Sequence, residues 1–194
     1  PTGMGLAIRH PDRIKRVVSV NGPTPAGQPD LLDRVTTNAA HSPWFQWILK
    51  AQGDGVLEQV LGQLDYNILS TLKLNGFERN EIITESWLDA YRAPFPTPKD
   101  AAGGIGWAKG FATAAHRFEE PNTATKRKLA GKDALAIWGE SDRTLHAEYF
   151  LPLFTQTFPN GRMHRLSGAG HYSPEDAPED VARLVAEFIV ESAK

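Results

Sequence analysis

The 194-residue chain contains no cysteine. That absence removes disulfides, thiolate nucleophiles and cysteine-ligated metals from consideration. Histidine is also sparse and poorly spaced for a metal: no H-E-x-x-H or related pattern occurs, so no metal is expected. No apolar run approaches the roughly 20 residues that a membrane-crossing helix needs, and no signal-peptide pattern is present. The formal net charge is only -2, with both signs interspersed. Such a balance gives no reason to expect a nucleic-acid or membrane-surface partner. The one glycine cluster, Gly103-Gly104-Ile105-Gly106, is too short for a dinucleotide fingerprint and follows no strand signal, so no cofactor is expected. A cytoplasmic protein fits these absences.

What is present has the rhythm of an α/β fold. Met4, Leu6, Ala7 and Ile8 form a short apolar, small-residue helix stopped by Pro11. The β-branched run from Ile14 to Val20 then reads as a buried strand closed by Asn21-Gly22. A helix leading into a buried strand is half of a βαβ unit, which implies a strand ahead of Pro1. The opening Pro1-Thr2-Gly3-Met4-Gly5 likewise reads as the continuation of a longer chain. From about Gln28 to Arg127 no strand signal occurs. Helical stretches there cover Trp44–Leu49, Val56–Leu74 and Glu81–Tyr91, with Asn80 as the start of the last of these. The proline-rich run 92–98 and the 103–106 glycines read as breaks. Strand signals return at 134–138 and 162–166, separated by a helix over about 146–158. An amphipathic helix begins near Pro178, with Val181, Leu184, Val185, Phe188 and Ile189 on one face. The expected organisation is a main α/β domain over 1–27 and 128–194, interrupted by a helical cap over 28–127.

Two loops carry the chemistry. Trp138-Gly139-Glu140-Ser141-Asp142 follows one strand, and Gly168-Ala169-Gly170-His171-Tyr172 follows the next. Active sites of open α/β sheets lie at the carboxyl ends of the strands, where such loops converge. A carboxylate that orients an imidazole, and an imidazole that takes a proton, are a working base. Taken singly, an aspartate after a strand is commonly a turn former, and a histidine after glycine a packing residue. Together and in this order, Asp142 and His171 are the candidate catalytic pair. Glu140 is the alternative acid; Glu175 and Asp176 read as the beginning of the terminal helix. His10, His41, His116, His146 and His164 read as surface or packing residues. Ser19 and Ser173 lie near strand ends but outside any G-x-S-x-G, so neither reads as a nucleophile.

These motifs resemble those of the α/β hydrolases. Residues 1–14 are similar to the helix after the nucleophile elbow, and the two loops to the acid and histidine loops. Tyr91-Arg92-Ala93-Pro94-Phe95-Pro96, with Gly170-His171-Tyr172 and Glu175-Asp176-Ala177-Pro178-Glu179, resembles the haloalkane dehalogenases in particular. The resemblance implies the C-terminal part of an α/β-hydrolase fold with a mostly parallel sheet and a helical cap. It further implies an aspartate nucleophile upstream of Pro1, with His171 activating water and Asp142 holding His171. Where one branch of the family takes its acid after the preceding strand, this chain has Asn21-Gly22, which favours Asp142. The partners implied are a small hydrophobic, halogenated substrate and a halide ion, with self-association as a homodimer left open. Phe95 and Trp107 are expected to line the substrate pocket, and Trp44, Trp47, Trp87 and Trp107 are the candidate halide donors. Epoxide hydrolases, β-lactone decarboxylases and serine esterases share the frame. A paired cap tyrosine, needed by the epoxide hydrolases, could come only from Tyr66 and Tyr91. Taken alone, this stretch is expected to be inactive, a fragment or binding module with an exposed apolar edge at 14–20.

Overall fold

The structure, a computed structural model, describes residues 2–111 and 120–192, so His116 lies outside the described residues. The chain runs α1 (Thr2–Arg9), β1 (Arg16–Val20), α2 (Leu31–His41), α3 (Pro43–Gly53), α4 (Leu57–Leu61), α5 (Leu64–Asn75), α6 (Glu85–Arg92) and α7 (Ala102–Phe111). It continues with α8 (Thr123–Ala130), β2 (Asp133–Gly139), α9 (Ala147–Thr157), β3 (Arg162–Leu166), α10 (Ser173–Asp176) and α11 (Pro178–Glu191).

The three strands of the described residues form one parallel sheet in the order β1-β2-β3, with Val18 opposite Leu135 and Ile137 opposite His164. Parallel neighbours need long crossovers. The helical stretch from α2 to α8 supplies the first and α9 the second. β2 lies in the middle and is buried from Ala134 onward. Its alternation sorts by size. Leu135 and Ile137 face Leu184 and Phe188 of α11, whereas Ala134 and Ala136 pack with Met4, Ala7, Phe154 and Phe158. The central strand is thus covered on both faces, as a buried parallel strand requires, whereas β3 is exposed from Arg162 to Arg165. Each large apolar side chain buried in this way contributes about 1.5–3 kcal/mol. Trp138, the last residue before Gly139 ends the strand, stacks on Phe150 and donates its indole N–H to the Leu145 carbonyl at 3.2 Å.

Among the described residues no strand occurs between Val20 and Asp133. A single apolar cluster joins Trp44, Phe45 and Ile48 of α3, Leu57 and Leu61 of α4, and Leu64, Ile68 and Leu72 of α5 to Trp138 and Phe150. The helices are therefore packed onto the sheet layer. Three local expectations are corrected here. The stretch from Val56 to Leu74 is two helices, divided at Gly62 and Gln63. α6 starts at Thr84 instead of Asn80, because the Thr84 hydroxyl accepts the Trp87 N–H and caps the helix. The glycines at 103, 104 and 106 lie inside α7. Each costs a helix about 1 kcal/mol relative to alanine. Ala101 and Ala108 are fully buried and Ile105 packs against the large cluster, so tertiary contact overrides the propensity.

No helix among the described residues is long and apolar enough to cross a membrane. The described residues also contain no group of three or more His, Asp or Glu side chains that could hold a metal ion.

Candidate active site

The loop after β2 turns back on itself, and the Asp142 N–H donates to the Gly139 carbonyl at 3.2 Å. The Asp142 side chain is only 1% exposed. Its Oδ1 accepts the backbone N–H groups of Thr144 and Leu145, both at 2.8 Å. Its Oδ2 accepts the amide N–H of Asn21 at 2.7 Å and meets His171 Nδ1 at 2.9 Å. With its oxygens filled by donors, the carboxylate acts purely as an acceptor, so the shared hydrogen is assigned to Nδ1. The other ring nitrogen, Nε2, is left as the acceptor, and the imidazole stays partly open to its surroundings at 23% exposure. An oriented imidazole with one free lone pair can take a proton from water or from a nucleophile. The structure thus brings together the two residues singled out as the candidate pair. The alternative acid, Glu140, is exposed and faces Arg165 at 3.9 Å.

Asn21 is the residue that sequence reasoning undervalued. It is buried and has φ of +43°, a left-handed conformation that asparagine tolerates better than most residues. Its amide oxygen accepts the Gly139 N–H at 3.1 Å and the Ser173 hydroxyl, while its amide nitrogen holds Asp142. One side chain therefore ties the ends of β1 and β2 to the histidine loop. The signal in the sequence was an Asn-Gly directly after a buried strand, which reads equally well as a simple turn. Ser173 is committed to Asn21 and to the Gly170 carbonyl at 3.0 Å, and the Ser19 hydroxyl to the Gly22 carbonyl at 2.7 Å.

The histidine loop is held from the other side by the end of α5. Gly76 follows that helix with φ of +108°, and the Phe77 N–H returns to the Leu72 carbonyl, a left-handed helix terminus that suits glycine. Its carbonyl accepts the His171 N–H at 2.8 Å. The approach is so close that a Cβ on Gly170 would stand 1.9 Å from the Gly76 oxygen. Asp176 accepts the Gly170 N–H at 2.7 Å through one oxygen, and the N–H groups of Glu78 and Arg79 at 2.9 Å through the other. Glu175 accepts the Tyr91 hydroxyl at 2.6 Å and the Trp87 indole N–H at 3.4 Å. The two carboxylates thus turn toward the helical region from the separate short helix α10. The terminal helix begins only at Pro178, whose ring suits a first helical turn.

Burial, helped by the Glu175 charge, pushes the Tyr91 hydroxyl well above its ordinary pKa. Tyr172, edge-on to the His171 ring, is pushed up to about 12 by burial, with the Asp142 charge as the second cause. Tyr66 is 83% exposed. Phe95 lies half-buried against the large apolar cluster, and Trp107 is 53% exposed on α7. His41 and His146 flank the ring of Tyr149, while His10 and His164 are exposed.

A family model described as the α/β hydrolase fold matches residues 1–178. The chain belongs to this family. Among curated relatives of this α/β-hydrolase chain, a cis-3-alkyl-4-alkyloxetan-2-one decarboxylase from Shewanella oneidensis is 24% identical, covering 98% of the chain and 57% of the relative. A haloalkane dehalogenase from Psychrobacter cryohalolentis is also 24% identical, covering 96% of the chain and 56% of the relative. The chain therefore spans a little over half the length of these relatives. A solved loop variant of a haloalkane dehalogenase from Bradyrhizobium elkanii superimposes with a TM-score of 0.71 at 21% identity, covering 98% of this chain and 64% of that one. At that identity the likeness establishes the fold.

Proposed function

We propose that the whole protein is a hydrolase of the haloalkane dehalogenase kind, in which Asp142 and His171 are the acid and base. The observation that carries this reading is the buried Asp142 carboxylate on His171 Nδ1, which leaves Nε2 free to act. An aspartate ahead of this stretch would attack the halogen-bearing carbon. A carbon–oxygen bond forms as the carbon–halogen bond breaks, and halide leaves with the electron pair. His171 Nε2 then takes a proton from water as the water adds to the ester carbonyl; the alcohol departs and the carboxylate is restored. Asp142 steadies the imidazolium formed in that step. Phe95 and Trp107 are proposed to line the pocket for a small hydrophobic halogenated substrate. The Tyr91 hydroxyl is engaged by Glu175 and Tyr66 points into solvent, which speaks against the paired-tyrosine chemistry of an epoxide hydrolase.

One observation favours a second reading. The decarboxylase from Shewanella oneidensis matches nearly the whole chain at the same identity as the dehalogenase. The same acid and base would then serve opening of a β-lactone with loss of carbon dioxide.

The test is halide release from 1,2-dibromoethane by the whole protein, beside the Asp142→Asn variant. Steady-state release, beyond the first turnover, that falls on the order of 10⁴-fold in the variant supports the assignment. A variant as fast as the parent removes Asp142 from the mechanism. A parent protein that releases no halide but evolves carbon dioxide from a β-lactone decides for the second reading.

A further inference from the structure

The helical region and the histidine loop meet through backbone groups, and one side chain serves both. Asp176 Oδ2 takes the N–H of Gly170, the residue directly before His171. Asp176 Oδ1 takes the N–H groups of Glu78 and Arg79, just beyond the end of α5. Between these points the His171 N–H is bonded to the Gly76 carbonyl, which lies so close that a Cβ on Gly170 would clash with it. On the opposite side the Ala169 carbonyl accepts the Ser141 N–H at 2.9 Å, from the loop that carries Asp142. The backbone of residues 169–171 is therefore held between the acid loop and the turn after α5. Only one of these supports is a charged side chain that can be altered without changing the backbone.

We propose that Asp176 is a positioning residue for His171: by bonding Gly170 and the 78–79 turn together, it fixes the depth at which the imidazole meets Asp142. The proposal rests on reading His171 as the base. It makes the helical region a structural support for the base as well as a neighbour of the site. Charge-assisted bonds from a carboxylate to backbone N–H groups are short and strong, which suits a clamp. Replacing Asp176 by asparagine keeps the shape, but turns an amide N–H₂ toward one set of N–H donors. That set loses its acceptor and the loop shifts away from it. A misplacement of about 1 Å at a reacting group can lower a rate about 100-fold.

The experiment uses the whole protein with ¹⁵N-labelled histidine, as parent and as Asp176→Asn, each checked for folding by circular dichroism. The first readout is the His171 Nδ1–H resonance, which reports the bond to Asp142 and requires no substrate. The proposal expects it to shift or broaden in the variant. The second is single-turnover and steady-state kinetics with 1,2-dibromoethane. The first burst of halide should be kept, because the base acts only afterwards. Steady turnover should fall about 10- to 100-fold, and the alkylated enzyme should build up in intact mass. A folded variant with the parental Nδ1–H resonance overturns the proposal. Should Asp176→Asn not fold, Asp176→Glu moves the carboxylate by one methylene and is read in the same way. A parent that releases no halide sinks the dehalogenase reading alone, since the resonance still decides the positioning role.

Discussion

The sharpest test of the Asp142 site is Asn21→Asp, which exchanges one nitrogen for oxygen and leaves the side-chain shape intact. In the parent, the Asn21 amide nitrogen donates to Asp142 Oδ2 at 2.7 Å. The variant sets two carboxylates at that contact in a buried site. Charge centres about 4 Å apart repel by about 4 kcal/mol at an effective dielectric of about 20. The pair escapes this by holding one shared proton, and keeping it costs about 1.4 kcal/mol for each pH unit above the ordinary carboxylate range near 4. At pH 5 the penalty is therefore about 1.5 kcal/mol, and at pH 8 it levels off at about 4 kcal/mol, where repulsion is the lesser cost. The sign follows from proton counting. Up to about pH 7, where the two costs become equal, the folded variant binds a proton that the unfolded chain does not, so stability falls as pH rises. Urea unfolding of parent and variant at pH 5 and pH 8 measures the difference. The reasoning expects the variant's deficit to grow by about 2.5 kcal/mol across that interval. A deficit that is the same at both pH values would refute the buried contact between Asn21 and Asp142.

Two further predictions follow from the same region. Gly170→Ala forces a methyl group to within 1.9 Å of the Gly76 oxygen, so the histidine loop and the α5 terminus must part. A loss of about 3 kcal/mol in unfolding free energy is expected, and an unchanged melting curve would mean that the two backbones do not touch. Tyr172, held up to about 12 by burial and by Asp142, should ionise late in an ultraviolet titration, and Tyr172→Phe should remove one late-ionising tyrosine while leaving that of Tyr91. Because the folded state keeps the tyrosine proton after the unfolded chain has lost it, this group's stabilising contribution is complete below pH 10 and is lost as pH rises toward 12. A Tyr172 that ionises at its ordinary value would contradict its burial.

The strands and the candidate pair were legible because they depend on local pattern. Ala134 to Trp138 is apolar on both faces, as a central parallel strand must be, and glycines frame both loops. What escaped notice depends on partners far away in the chain. Asn21 and Asp142 are 121 positions apart, and Asp176 and Arg79 are 97 apart, so nothing beside either residue marks the contact. Local chemistry was misleading at α7, where glycines that predict a break are carried by the burial of Ala101 and Ala108. At α6, Asn80 and Thr84 both suit a helix start, and only the bond from Trp87 decides between them.

The glycine-rich stretch 168–171 would ordinarily be the least protected kind of backbone, since it lies outside any helix or strand. Here the amide hydrogens of Gly170 and His171 are each bonded within the protein, as are those of Glu78 and Arg79 across the contact. Exchange of the His171, Glu78 and Arg79 hydrogens with solvent requires the two backbones to separate, and separation breaks all three bonds at once. In a map of deuterium uptake this loop would therefore group with β2 and the core. A slow-exchanging core would then reach, through a loop, to the imidazole itself.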